Sequence, residues 1–512
     1  MKDIPEFYKG KNIFITGASG FLGKVIMEKL LRSCQDVGKI YILLRPKYGK
    51  TFHERLAKFF DMVLFDRLKE TNPEALKKII PINGNVSEVN LGLNEADRQF
   101  LINEVNIIFH AAASVRFDDP LKDAIFLNTR CTRDVVNLAK DIKNLTVLVH
   151  ISTTYCHSDQ KEVLEEIYPP HADWREAIDL AENYDSFTMD VLTKRYLGAL
   201  PNTYTFTKAL SERVISDLCT GQIPAVIVRP SIVIASTEEP IPGWIDNFNG
   251  PVGMILVGGT GILRAMFSDP DVQSDFVPVD AVVRVIIASA WQKGQFEEDK
   301  LKVNVLNCSN NRIMEVTIEQ VHRLAYDLSK SMPIANIIWY PTANLTCKNY
   351  YVYHLKIIFY QWLPALLLDG LNKIINLSDM SLMKINRKIY IANMALQYFM
   401  MHEWVFKNDN VLALDAKIPK SNKEEFGKYK QMVSVYNKKY LSNAFIVAKK
   451  SLLKETKTRE ECLRSANIMW LLSKIFNILW YIGIFWLLYY KFKVVDEIFS
   501  IGHDFKLYLL KL

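Results

Sequence analysis

No two of the seven cysteines are spaced C-x-x-C, and the scattered set has no zinc-type pattern. Reduced thiols in a cytosol-facing protein are the expectation, with no metal site. No long arginine-rich tract is present, and the net charge of +7 is spread among many acidic and basic residues. Nucleic acid is therefore not an expected partner. The amino-terminal MKDIPEFYKGK lacks the apolar core of a signal peptide. Part of the positive excess lies between Lys449 and Arg464, just before the most apolar segment of the chain. At 512 residues there is room for two or three domains with sizeable cores.

The apolar segment runs from Ile468 to Tyr490, blemished by Lys474 and Asn477. As a helix it would be roughly 34 Å long, enough for a hydrocarbon core of about 30 Å. A lysine at the bilayer centre costs about 3 kcal/mol on insertion scales, but near the basic flank it can snorkel to the interface. The expectation is one spanning helix over 468–490, with the catalytic portion cytosolic and Val494 to Leu512 on the far side. A buried or interfacial helix is the rival reading. Tyr350 to Leu368, interrupted by His354, Lys356 and Pro364, reads either as a membrane-contacting amphipathic helix or as a packing helix.

The amino-terminal half carries a different signal. Asn12 to Thr16 is an apolar, β-branched run suited to a buried parallel strand, and Phe21 to Leu31 has apolar residues at helical spacing. Between them stand Gly17, Gly20 and Gly23, for a tight turn, a close approach to a pyrophosphate, and close packing of helix on strand. The helix start offers free N–H groups and a positive dipole end to phosphates. The next strand, Lys39 to Arg45, ends in a cation followed by Lys47, where an NAD-preferring site would carry a carboxylate. Arg45 and Lys47 therefore point to NADPH.

Further strands are expected at Lys78–Gly84, Asn106–Ala113, Leu145–Ser152 and Ala225–Arg229, with a helix over Asn128–Ala139. Short apolar runs alternating with helices predict an α/β, Rossmann-type doubly wound parallel sheet, with ligands beyond the carboxyl ends of the strands. Tyr204 and Lys208 lie four residues apart, on one face of a predicted helix. A nearby ammonium is expected to lower the tyrosine pKa, leaving Tyr204 to exchange a proton with a substrate oxygen during hydride transfer. Ser152 and Thr153, at the end of the strand LVHIS, are placed to bond that same oxygen.

Taken together, TGASGFLGK, YILLRPKYG, IIFHAAASVRFD, HISTTY, PNTYTFTKALSE, VIVRPSIV and EEPIPGWIDNFNGPVG closely resemble the alcohol-forming fatty acyl-CoA reductases. These are membrane-associated members of the extended short-chain dehydrogenase/reductase group. MMHEWVFKNDNV resembles their male-sterility-type C-terminal domain. The resemblance implies an NADPH-binding reductase domain over 8–345, a mainly helical C-terminal domain over 350–455 and the transmembrane helix. It implies a long-chain acyl-CoA substrate, a lipid membrane partner, and residence at the endoplasmic reticulum or peroxisome. By position it assigns Gly17, Ser19, Gly20, Phe21, Leu22 and Gly23 to the cofactor, with Arg45 and Lys47 at the 2′-phosphate and Asn85 at adenine. His110, Ala111, Ala112 and Ala113 would line the nicotinamide ribose. Arg229, Pro230 and Ser231 would close the pocket near the nicotinamide. Tyr204 and Lys208 are the implied catalytic pair, completed by Ser152 or Thr153.

Two positions depart from that pattern: Asn85 replaces an aspartate, and Cys131 stands where glycine is common. Thr153 to Tyr204, with the acidic, helix-forming runs KEVLEEIY and WREAIDLAENY, reads either as a cap over an acyl tunnel or as a surface insertion. Glu238 to Gly261, dense in proline and glycine, is the better substrate-loop candidate. Rival functions are a reductase that stops at the aldehyde, a membrane sterol dehydrogenase, and an idle NADPH-binding scaffold.

Overall fold

The computed structural model describes residues 2–45, 52–248, 250–295, 300–311, 313–335, 337–375, 381–434, 437–487 and 489. Lys47, the far end of the expected membrane span and the segment beyond it lie outside the described residues.

Seven strands form one sheet: β1 (Ile13–Thr16), β2 (Ile40–Leu44), β3 (Ile79–Asn83), β4 (Ile107–His110), β5 (Val147–Ile151), β6 (Ala225–Pro230) and β7 (Asn304–Cys308). Their order is β7-β6-β5-β4-β1-β2-β3, and every pair is parallel. The order reverses between β1 and β4, the switch point at which such sheets open a ligand crevice. Thr16 is in register with His110, so both strands end level at that crevice. Ile13 and Ile15 face one core cluster and Phe14 the other, which is why these strands are apolar at every position.

The helices used below are α1 (Phe21–Ser33), α2 (Cys131–Asp141), α3 (Thr203–Cys219), α4 (Gly250–Gly259), α5 (Val279–Gln295), α6 (Ile318–Ser331), α7 (Tyr350–Ile357), α8 (Leu363–Ile375), α9 (Leu382–Met401), α10 (Lys438–Ser451) and α11 (Arg459–Trp486). Helix α5 is buried on nearly all sides beneath the sheet, its apolar residues in the core and its Asp280 and Arg284 buried with polar partners. The helix expected over Asn128–Ala139 starts earlier, as an α-helical turn at Leu121–Ala124, passes through a π turn at Ile125–Arg130 and is α-helical again from Cys131.

The carboxyl-terminal residues share the core of the first half. Val411, Leu414, Phe426, Tyr429 and Met432 belong to the same buried cluster as β1 and α5, while α10 packs with α4 and α6. The expected boundary near 345–350 is thus crossed by continuous packing. A buried ion cluster adds to it. Lys29 of α1 meets Glu239 and Glu425 at 2.6 Å each, Arg32 meets Glu239 and Glu425 at 2.7 Å, and Arg284 of α5 meets Glu239 at 2.8 Å. Each carboxylate is shared by two or three cations, so no charge in the cluster is left uncompensated.

The run KEVLEEIY does not form a helix. Glu162–Val163 instead pairs with Val405–Phe406, and the carbonyls of Leu164 and Glu166 accept from the buried Arg229 guanidinium. Helix α11 starts at a capping box of Thr458 and Glu461, earlier than the expected Ile468. It is 28 residues, long and apolar enough to cross a membrane, and exposed over nearly all its surface. Beside it runs the π turn Ile358–Trp362 that leads into α8: the Tyr360 and Tyr481 hydroxyls are 3.4 Å apart, and Leu366, Leu367, Leu371 and Ile374 of α8 are exposed.

Candidate active site

The turn after β1 is built for a close neighbour. Gly17 has φ +75°, and a Cβ there would fall 2.5 Å from the Ala111 carbonyl carbon; one at Gly23 would fall 2.4 Å from the Gly17 oxygen. Gly20 differs: on its Cβ side it meets only the Gly17 oxygen, at 3.1 Å, and it is exposed. Gly20 is also the N-cap of α1, with no side chain capping the first turn. The first-turn N–H groups of Phe21, Leu22 and Gly23 thus stand uncapped at the end of β1, and the residues present fit a dinucleotide pyrophosphate. Ser19 is exposed at the same turn and Leu22 half-buried, whereas the Phe21 ring stacks 5.2 Å from Trp244. Arg45 is exposed at the end of β2.

Several expected cofactor contacts are redirected. The His110 ring is fully buried, bonded to Thr16 at 2.7 Å and Thr132 at 2.9 Å, and burial pushes its pKa down to about 3. Only its backbone, with Ala111 and Ala112, reaches the crevice turn, Ala111 being the residue packed on Gly17. The Asn85 side chain closes its own turn, donating to Glu88 at 2.9 Å and accepting from the Ser87 hydroxyl at 2.9 Å. Arg229 does not face the nicotinamide position: its guanidinium is wholly buried and donates to Glu212 at 2.8 and 2.6 Å. Ser231 donates to Asp275 at 2.6 Å, leaving the Pro230–Ser231 backbone as the part nearest the strand end.

Tyr204 and Lys208 both lie on α3, whose N-cap Asn202 accepts from Thr205 N–H. Thr153 is the hydroxyl that acts on the Tyr204 phenol, favouring its ionised form, though burial outweighs it. Ser152 is instead turned toward the Cys156 thiol, 3.8 Å away, so of the two hydroxyls only Thr153 acts on the phenol. The expected effect of the ammonium on the phenol is not seen. Lys208 Nζ donates to the Ile151 carbonyl at 2.7 Å, and burial pushes the Tyr204 phenol up. The tyrosine is held neutral, in the form that donates a proton. Burial also lowers Lys208, to about 8, despite Cys156, Glu212 and Cys131 favouring its charge.

Sequence reasoning missed two polar residues behind this pair. Asn128, in the π turn, accepts from Ser114 N–H at 2.8 Å and donates to Thr207 at 2.9 Å, joining the loop after β4 to α3. Glu212, one turn beyond Lys208, is held well below the usual carboxylate range; burial opposes its charge, but Arg229 and His157 outweigh it. The signal for Glu212 was its spacing, i+4 from Lys208 on the same helix face.

Tyr204 also borders an apolar cavity of about 200 Å³. Its walls come from distant segments: Met254 and Ile255 of α4, Val321 and Ala325 of α6, Leu396 and Phe399 of α9. The carboxyl-terminal half of the Glu238–Gly261 loop thus does reach the site, as helix α4. Of the Thr153–Tyr204 stretch, Tyr155 lines the cavity, while Trp174, Ala177, Ile178 and Ala181 pack into the core cluster that holds α3.

Two family models, both described as male sterility protein, match residues 15–286 and 360–455, the first of them an NAD-binding model. Fatty acyl-CoA reductase 1 from Mus musculus is 39% identical over 455 residues, covering 89% of this chain and 87% of that protein. The Homo sapiens protein of the same name is 38% identical over the same shares, and fatty acyl-CoA reductase wat from Drosophila melanogaster 38% over 82% and 80%. Among solved structures, the terminal R domain of the myxalamid pathway is similar at TM-score 0.57 and 18% identity, covering 86% of this chain and 90% of that one. A reductase domain of a Mycobacterium tuberculosis non-ribosomal peptide synthetase reaches 0.56 at 16%, over 86% and 92%. Those two likenesses concern the fold, whereas the sequence matches span both halves of the chain and place it in the fatty acyl-CoA reductase family.

Proposed function

We propose that this protein reduces long-chain fatty acyl-CoA to the primary alcohol and free CoA, with two NADPH per acyl group and the aldehyde kept bound between the steps. The observation that carries this reading is the Tyr204–Thr153 hydroxyl pair, set between a dinucleotide turn and an apolar cavity. The exposed turn at Gly20 and the α1 amino terminus would hold the pyrophosphate, and Arg45 would meet the 2′-phosphate. When bound, the nicotinamide supplies one hydride to each two-electron step. Thr153 and Tyr204 would bond the thioester carbonyl oxygen and stabilise the charge that develops there as the carbon–sulfur bond breaks and CoA leaves. On the aldehyde, the same two hydroxyls hold the oxygen, and Tyr204 protonates the alkoxide. Lys208 fixes the helix face on which Tyr204 stands through its charge-assisted bond to the Ile151 carbonyl at the end of β5.

Product analysis tests the reading. Chromatography of reactions with a ladder of acyl-CoA lengths should give alcohol and CoA in equal amounts, with NADPH preferred over NADH. Aldehyde as the sole product, or no reduction at all, would reject it.

A pH prediction follows from Lys208. Its folded pKa of about 8 lies below the ordinary lysine value, so the charged form is lost as pH rises through 8. We expect kcat/KM to fall on that alkaline limb, and Lys208→Arg, permanently charged, to remove the limb from whatever activity remains. The stability sign is opposite. Between about 8 and 10.4 the folded state binds fewer protons than the unfolded one, so this group makes folding more favourable as pH rises. A wild-type profile flat to pH 9.5 would show that the ammonium is not required.

We further place α11 across a membrane of the endoplasmic reticulum or peroxisome, with the reductase half cytosolic and the exposed apolar face of α8 entering the same layer. In sealed microsomes a carboxyl-terminal tag should resist protease while an amino-terminal tag is digested. Equal digestion of both would exclude a single span.

A further inference from the structure

The loop after β4 contains one residue that faces against its neighbours. Val115, Arg116 and Asp118 are exposed, but Phe117 turns inward. Its ring lies 5.7 Å from the Tyr204 ring and 5.2 Å from that of Phe399 on α9. Phe399 in turn meets Tyr155 edge-on at 5.2 Å, and Tyr155 meets Trp404 at 5.5 Å. All four of these neighbours border the cavity that Tyr204 opens into. The wall beside the reacting position is therefore an aromatic seam, one side supplied by the sheet half and the other by the carboxyl-terminal region.

The loop is anchored at its ends and lightly held between them. Asn128 receives Ser114 N–H at one end, and the Asp119 carbonyl accepts from Thr203 at the other. Within it, the side-chain contacts are local, Arg116 to Asp118 at 3.2 Å and Ser114 to Asp119. What presses the middle of the loop onto the site is the Phe117 ring. Offset and edge-on ring contacts of this kind are individually modest, of order 1 kcal/mol, so such a seam can open and reclose.

A seam at this place matters for a four-electron reduction. After the first step the acyl group is no longer a CoA thioester, and only the apolar chain and one carbonyl oxygen hold it. It must outlast the exchange of one dinucleotide for another at the crevice between β1 and β4. We propose that the Phe117–Phe399 contact is the closure that retains the aldehyde between the two reductions, and so decides whether alcohol or aldehyde leaves the protein. This rests on the function proposed above and adds its product-determining residues.

The test uses the full-length chain with palmitoyl-CoA and NADPH, a carbonyl trap such as semicarbazide, and thiol detection of released CoA. The measured quantity is trapped aldehyde per CoA released, which does not depend on the overall rate. Phe399→Ala and Phe117→Ala should raise it about tenfold or more, since weakened burial acts mainly on dissociation, while Phe399→Leu should give an intermediate value. A second measurement needs no cofactor. Dissociation of hexadecanol, followed by tryptophan fluorescence with Trp404 beside the seam, should be faster in the alanine variants. Unchanged aldehyde per CoA together with unchanged dissociation in folded variants overturns the closure while leaving the reductase reading intact. A parent chain that releases no CoA overturns both.

Discussion

Tyr204→Phe is expected to lower kcat by roughly 10²–10⁴, the range for losing a positioned general acid, with dinucleotide affinity nearly unchanged. The substitution deletes one hydroxyl and keeps the ring that packs 5.7 Å from Phe117, so cavity and seam retain their shape. The partner left behind, Thr153, still accepts from Tyr155 N–H at 3.3 Å and is not orphaned. Loss of activity would then report on chemistry and not on folding. Because burial holds the Tyr204 phenol above its ordinary value, the residue is protonated throughout the physiological range. The defect should therefore be as large at pH 6 as at pH 8, unlike that of Lys208→Ala. Steady-state kinetics with a cofactor-binding titration separate the two terms. A Tyr204→Phe protein that still makes alcohol at wild-type rate would remove Tyr204 from the mechanism.

What the sequence disclosed follows from how far each signal reaches along the chain. Buried parallel strands need apolar residues on both faces, so Ile13–Thr16 and Val147–Ile151 stand out as short continuous runs. The final strand, NVLNC at Asn304–Cys308, has only two apolar residues between Asn304 and Asn307, whose side chain donates to the Val163 and Lys407 carbonyls, and it carries no such signature. Glycine spacing and the Tyr204–Lys208 offset are local, and both landed at the crevice. Direction of a side chain is less legible. Resemblance put His110 and Arg229 at the cofactor, yet each points into the protein, where a partner distant in sequence, Thr132 or Glu212, receives it. The cavity is the least legible part, since α4, α6 and α9 meet there only through tertiary packing. KEVLEEIY shows the same override: helix propensity yields to a strand pairing that buries Val163 and satisfies Arg229.

Arg229→Met should destabilise the fold by about 3–5 kcal/mol, the usual result of removing one partner from a buried ion pair. Arg229 is fully buried and Glu212 nearly so, and two guanidinium nitrogens contact the carboxylate at 2.8 and 2.6 Å. The same guanidinium donates to the Leu164 carbonyl at 3.0 Å and the Glu166 carbonyl at 2.9 Å, so the variant also strands two backbone acceptors of the insertion. His157 would remain as the counter-charge to Glu212, 3.3 Å away. Burial works against its charge, but Cys156 and Glu212 together raise it to about 10. It reaches only one carboxylate oxygen and neither of the two carbonyls. Adding Glu212→Gln, which removes the stranded charge, should restore part of the loss, and chemical denaturation of both variants measures the difference. The same proteins decide between the two positions for Arg229. A side chain at the nicotinamide would raise the cofactor KM with little change in stability, whereas the buried clamp predicts lost stability with normal KM for the molecules that remain folded.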